Sequence, residues 1–204
     1  MEQKELFLKI FRAAEKRFGK EDKRLAGEGW EHDWQMVVAT IMSAQSRDET
    51  TIPIAESLFS KYKSLKSLSN AKYSDVVSVL KSLNYNKTKS KHIIECAKML
   101  LINYKGRVPD EIDELVKLPG VGRKTANLVV SEIHDKEGIC VDTHVHRICN
   151  VLGIVNTKSP NETEFALRDL IPKKYWSRIN RLFVLWGKKV PGRDKERLLK
   201  EVGL

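Results

Sequence analysis

Two side chains of this sequence, Lys124 and Asp142, are of types and in settings that can do chemistry together, and they stand eighteen positions apart. Lys124 lies in the run LPGVGRKTANLVV, residues 118–130, where a turn gives way to a helical pattern. A cation in the first turn of a helix opposes the helix dipole at a cost of ~0.3–1 kcal/mol. The dipole, the adjacent Arg123 and any burial all disfavour the ammonium, leaving more free amine to act as a nucleophile. The plainer reading is a lysine that only pairs with a DNA phosphate. Asp142 follows an apolar segment, Gly138 to Val141, and is placed to cap a helix over residues 143–152. A carboxylate held by helix-start amides stays charged, and it can take a proton from a nucleophile or steady positive charge developing on a sugar ring. Helix capping alone also accounts for it. The pair is more informative than either member. An amine and a carboxylate beside a phosphate seat suit attack at C1′ of a deoxyribose, departure of the base, and a Schiff base that permits β-elimination of the strand.

The elements that must position these groups are read from the surrounding pattern. Ile112, Leu115 and Val116 before the turn, and Ala126, Val129, Val130 and Ile133 after it, fall at helical spacing. Two helices therefore meet at a short turn. Pro119 sets φ there, while Gly120 and Gly122 are free to take positive φ and to let other backbone come close. Backbone amides at the start of the second helix form an anion site, and Arg123 adds charge beside it. Gly120, Val121, Gly122, Arg123 and Thr125 are accordingly the expected DNA contacts of the hairpin. The run is not a nucleotide P-loop, since GxxxxGK[ST] is absent and no strand pattern leads into it.

The chain carries 37 basic and 27 acidic residues, a net charge of +10, spread along its length. Such an excess favours polyanions, and with no basic amphipathic helix exposing an apolar face, nucleic acid is preferred over membrane. A lysine-rich, merely soluble surface is the alternative. No apolar run approaches the ~20 residues of a membrane span, and the charged, helix-patterned N-terminus does not resemble a secretory signal. A cytoplasmic, DNA-associated protein is expected. Cys96, Cys140 and Cys149 are too scattered for a metal site and are expected to be buried thiols. His144 and His146, two apart, face different sides of a helix and make a poor zinc pair.

Taken in order, residues 3–18 carry an apolar stripe of Leu6, Phe7, Ile10, Phe11 and Ala14. Residues 34–45, WQMVVATIMSAQ, are apolar nearly all round and predict a buried helix ending at Gln45. Asp48 is placed as N-cap for residues 49–62. Helical patterns follow over 74–83 and 90–104, broken by Asn84, Tyr85 and Asn86, where asparagine is the non-glycine residue best suited to the left-handed region. Further helices are predicted over 160–171 and 173–188, with a last amphipathic turn or two from Leu198, Leu199 and Val202. No strand pattern or fixed-period repeat is present. The fold class is all-α.

The pair LPGVGRKTAN and VDTHVHRICN resembles the helix-hairpin-helix plus Gly/Pro-rich loop and aspartate signature of the endonuclease III family of DNA glycosylases, in residue identity and in the spacing of Lys124 and Asp142. MSAQSRD at 42–48 is similar to that family's LSAQ segment, and KSKHI at 89–93 to its KA stretch; the likeness covers about residues 34–186. It implies a bilobal all-α fold with a DNA-binding cleft, a six-helix domain over 28–136 and a second domain from 1–27 plus 137–204. It implies Lys124 as Schiff-base nucleophile and Asp142 as the acid that activates it, in an enzyme that flips the damaged nucleotide out of duplex DNA. Gln45 matches the residue that fills the vacated space, although a polar residue at a helix end is the plainer account. His144, at the DTH position, lines the pocket or packs in the core. The hairpin carbonyls are expected to hold a monovalent cation.

This sequence departs from the family in two places. Members commonly end in four cysteines that hold a [4Fe-4S] cluster, and no residue after Trp186 is cysteine; ligation needs thiolates, so no cluster is expected. Asn84, Tyr85 and Asn86 stand where the family usually has glycine followed by aromatics. The expected activity is a bifunctional glycosylase and AP lyase on oxidised pyrimidines of the thymine glycol type, acting as a monomer on double-stranded DNA. Mismatched uracil or thymine, or oxidised guanine, are alternative substrates. A non-catalytic helix-hairpin-helix DNA-binding module is the alternative of a different class.

Overall fold

The computed structural model describes residues 2–134 and 136–204. In chain order the helices are α1 (Gln3–Phe18), α2 (Asp33–Ser43), α3 (Asp48–Lys61), α4 (Leu65–Ser69), α5 (Tyr73–Val79), α6 (Asn86–Tyr104), α7 (Ile112–Leu115), α8 (Arg123–Ile133), α9 (Thr143–Val151), α10 (Pro160–Leu170), α11 (Trp176–Lys189) and α12 (Lys195–Glu201), with a 3₁₀ turn at Lys173–Tyr175 before α11. No strand occurs among the described residues, so the fold is all-α. The chain divides into two compact units, Arg24–His134 and the pair of segments Met1–Lys23 and Asp135–Leu204.

The Arg24–His134 unit is organised on α2. Every residue from Trp34 to Met42 is buried, as an all-round apolar pattern requires. The helix packs against α3, α6 and α8. At its start the Gln35 side chain accepts the His32 amide at 3.0 Å, closing a helix end that has no Ser, Thr or Asp cap. The expectation for Asp48 is not met. The N-cap of α3 is Arg47, and Asp48 is the first helical residue, where its Oδ1 accepts the Ala26 amide at 3.3 Å. A distant backbone donor has taken the carboxylate, which still stands at the favourable end of the α3 dipole. Val116 also departs from the predicted stripe. It is 41% exposed on the turn after α7, while Leu115 is fully buried.

The break before α6 differs in which residue makes the corner. Tyr85, not an asparagine, is left-handed, with φ 56°. Both asparagine amides are committed elsewhere, Asn84 Nδ2 to the Gln45 carbonyl at 2.7 Å and Asn86 Nδ2 to the Lys81 carbonyl at 3.0 Å. The helix consequently starts at Asn86, four residues before the predicted 90.

The other unit packs α1, α9 and α10 around α11: α11 meets α1 and α9, and α9 meets α10. Phe7 and Phe11 of α1 meet Tyr175 edge-on at ring separations of 5.9 and 4.8 Å. Ile179, Phe183 and Trp186 of α11 are wholly buried. Leu198 of α12 is buried and Asp194 caps that helix through Arg197 N at 3.0 Å.

Candidate active site and nucleic-acid interface

The hairpin is built as its glycines require, though only one of them is left-handed. Gly120 has φ 81°, and a Cβ there would stand 3.0 Å from Ile41 Cγ2 and 3.0 Å from His92 Cβ. The turn therefore sits directly on α2 and α6, and any side chain at 120 would lift it. Gly122 is extended, with φ −93°, and is the N-cap of α8 with no side-chain cap; a Cβ on it would meet nothing within 4 Å. It leaves open space over the helix start, where amides and dipole favour an anion. Val121 is buried with its amide on Leu118 O at 3.0 Å, which closes the turn. Arg123 and Thr125 are half-buried in the first turn of α8, and Lys124 is exposed between them. Of the three influences expected on the lysine amine, burial is absent.

Gln45 lies just past the end of α2, exposed and left-handed with φ 54°. That conformation costs a non-glycine residue ~1–2 kcal/mol, so the turn needs support. Asn84 grips its carbonyl from the α6 side. From below, Lys89 Nζ donates to Met42 O at 2.7 Å and to Ser46 Oγ at 2.9 Å. Lys89 is only 5% exposed, and burial lowers its pKa to about 8. Its position is explained by the C-terminal end of α2, whose last carbonyls need donors and whose dipole favours a cation. The two hydrogen bonds offset part of the cost of burying the ammonium and hold the backbone before and after the Gln45 turn. In the sequence Lys89 is marked only by the likeness of KSKHI and by being a lysine on the inner face of an amphipathic helix.

Asp142 caps α9. Its Oδ1 accepts the amides of His144 and Val145, both at 2.9 Å. Val141, Cys140 and Ile139 before it are buried, which fixes the approach of the chain to the helix. His144 is half-buried against Gly187 of α11, whereas His146 points away, its Nδ1 2.7 Å from Thr163 Oγ1. Arg147, five residues after Asp142 and contributing to its positive surroundings, reaches the end of α11. Its Nη2 donates to Gly187 O and Val190 O, both at 3.0 Å, and its Nη1 to Gly192 O. Of the predicted site residues, Gln45 and the hairpin lie in one unit, and Asp142 and His144 in the other.

Residues 38–173 match the model of the HhH-GPD superfamily of base excision DNA repair proteins. The chain belongs to this superfamily. Endonuclease III of Thermotoga maritima is 41% identical over 157 residues, 77% of this chain and 74% of that relative. Among solved structures, a trapped endonuclease III–DNA covalent intermediate, an estranged-adenine complex, superimposes with a TM-score of 0.85 at 31% identity, covering 93% of this chain and 88% of the other. A non-covalent endonuclease III–DNA complex gives 0.87 at 29% identity, covering 100% and 98%.

Four thiolates would be needed to hold the iron–sulfur cluster that the resemblance implies. The sequence holds three cysteines, all buried: Cys96 in α6, Cys140 before α9 and Cys149 within it. Burial pushes the Cys96 thiol up to about 12 and that of Cys149 higher still, the opposite of what a thiolate ligand needs. Among the described residues no group of three or more His, Cys, Asp or Glu could hold a metal ion. A four-thiolate cluster does not fit these residues. No described helix is long and apolar enough to cross a membrane.

Proposed function

We propose that this chain is a base-excision-repair DNA glycosylase with AP lyase activity that removes oxidised pyrimidines from double-stranded DNA, with Lys124 as nucleophile and Asp142 as the acidic partner. The observation that carries the assignment of roles is the setting of Lys124, an exposed amine in the first turn of a helix whose N-cap is an uncovered glycine. A sugar-phosphate can be seated on the α8 amides with its C1′ turned to the amine. In the reaction the lysine nitrogen bonds to C1′ as the glycosidic bond breaks and the base leaves with the bonding electrons. The amine proton passes to Asp142, for which Oδ2 is the available oxygen, since both capping amides go to Oδ1. Ring opening gives a Schiff base on Lys124. Loss of a C2′ proton then expels the 3′ phosphate by β-elimination, and water releases the enzyme.

Gln45 enters the duplex behind the extruded nucleotide, while Gly120, Val121, Gly122, Arg123 and Thr125 hold the strand through its phosphates. His144 borders the base pocket. The same reading has no iron–sulfur cluster and a monovalent cation on the hairpin carbonyls. Borohydride trapping tests it. The enzyme forms a covalent adduct on thymine-glycol and abasic duplexes, and Lys124→Ala forms none. Trapping that survives Lys124→Ala overturns the assignment, and salt-sensitive binding without cleavage of any lesion would leave a DNA-binding module only.

A further inference from the structure

We infer that Lys89 and Asn84 are positioning residues that preset the Gln45 turn as a rigid probe for the duplex, Lys89 by holding Met42 O and Ser46 Oγ and Asn84 by holding Gln45 O. The inference rests on the reading of Gln45 as the residue that fills the space left by the extruded nucleotide. Four observations carry it. Gln45 is exposed and left-handed, a backbone state a glutamine does not choose unaided. Its carbonyl is gripped at 2.7 Å by a side chain 39 positions away, from the corner where Tyr85 is also left-handed and exposed. Met42, three residues before it, and Ser46, the residue after it, are tied to one buried ammonium at 2.7 and 2.9 Å. Finally, the hairpin rests on Ile41, one turn before Gln45, so phosphate seat and probe share α2 as a common base.

The physical advantage is preorganisation. A side chain that enters a base stack must be fixed at the moment of entry, and a turn fixed beforehand pays that ordering during folding instead. Selectivity for a site with a missing base then depends on the brace, whereas affinity for intact duplex depends on the phosphate contacts. The exposed Tyr85 travels with the same corner, because Asn84 immediately precedes it.

The experiment compares binding to a duplex carrying a tetrahydrofuran abasic analogue, with 2-aminopurine opposite it, and to the undamaged duplex. Gln45→Ala, Lys89→Met, Asn84→Gly and the double variant Gln45→Ala/Lys89→Met are measured, with thermal melting as the check on folding. Lys89→Met and Asn84→Gly each lower the preference for the abasic duplex about tenfold and diminish the 2-aminopurine response, with undamaged-duplex affinity unchanged. In the double variant, Lys89→Met adds no loss to that of Gln45→Ala. Independent, additive losses, or losses equal on both duplexes, overturn the brace. Asn84→Gly, at an exposed position, keeps the test open if Lys89→Met does not fold. Should Gln45→Ala itself retain the preference, the reading of Gln45 falls; should it lose the preference while Lys89→Met and Asn84→Gly keep it, only the brace falls.

Discussion

Gly187 of α11 lies so close to His144 that a Cβ built on it would stand 2.3 Å from Nδ1 and 2.7 Å from Cγ of the imidazole. His144 is also the residue whose amide holds Asp142 Oδ1 at 2.9 Å. A side chain at 187 must therefore displace the ring, the helix start, or both. Gly187→Ala is expected to lower stability by ~1–3 kcal/mol, the cost of overpacking a filled site. Adding His144→Ala removes the ring atoms but leaves His144 Cβ, 2.8 Å from the same point, so the double variant should melt above Gly187→Ala while recovering only part of the loss. Differential scanning calorimetry of the two variants checks this, and equal or lower melting of the double variant would show that the contact does not govern the site.

Asp142 caps α9 and, in the proposed mechanism, takes the lysine proton; two substitutions separate the two tasks. Asp142→Asn retains a side-chain oxygen able to accept the His144 and Val145 amides, and Asp142→Ala does not; capping loss costs ~0.5–2 kcal/mol. Asp142→Asn should melt near the wild-type protein and Asp142→Ala several degrees lower. Both lack a carboxylate to take the lysine proton, so single-turnover strand cleavage should fall by about 10²–10⁴ in each. If Asp142→Asn cleaves at the wild-type rate, Asp142 is a helix cap and nothing more.

At the hairpin, Gly120 answers to two constraints at once, φ 81° and a Cβ site 3.0 Å from both α2 and α6. Gly122 answers to neither. Gly120→Ala should destabilise the protein by more than ~1 kcal/mol, while Gly122→Ala, which meets no steric obstacle and only exchanges glycine for a poorer N-cap residue, should cost less, ~0.5–1 kcal/mol. The effect on DNA runs the other way for Gly122: a methyl over the α8 amides should weaken binding to undamaged duplex and flatten its salt dependence. Filter binding across a salt series decides it, and unchanged binding by Gly122→Ala would argue against phosphate at that helix start.

How much of this was legible in the sequence depends on how far apart the interacting residues are. Asp142 was readable as a cap because its partners are two and three positions on. The hairpin was readable because Pro119, Gly120 and Gly122 punctuate two apolar stripes, and α2 because an all-round apolar run has only one place to go. Lys89 was opaque as a brace because its partners lie 47 and 43 positions back. Asp48 departs from its expected capping role because its carboxylate takes the Ala26 amide 22 positions away. The left-handed corner was assigned to asparagine on intrinsic preference, yet Asn84 is held 39 positions away, and the corner falls to Tyr85. In each of these a tertiary bond overrode a local rule, and two of the three support Gln45.

The buried ammonium of Lys89 also predicts how stability changes with pH. Burial lowers its pKa to about 8 in the folded protein, against ~10.4 for an unfolded lysine. Below pH 8 both states are protonated, and the folded state carries the full cost of the buried charge. Between about pH 8 and 10.4 the unfolded chain binds more protons than the folded one, so this residue's contribution becomes more favourable as pH rises, and it is constant again above that window. Lys89→Met removes the titration and serves as the reference for every other group. The unfolding free energy of the wild-type protein minus that of Lys89→Met should therefore rise by on the order of 1–3 kcal/mol from pH 7.5 to 10.5. Urea titrations of both proteins at pH 7.5, 9 and 10.5 measure it; a difference that stays flat or falls would mean that the ammonium is as well solvated in the folded protein as in the unfolded chain.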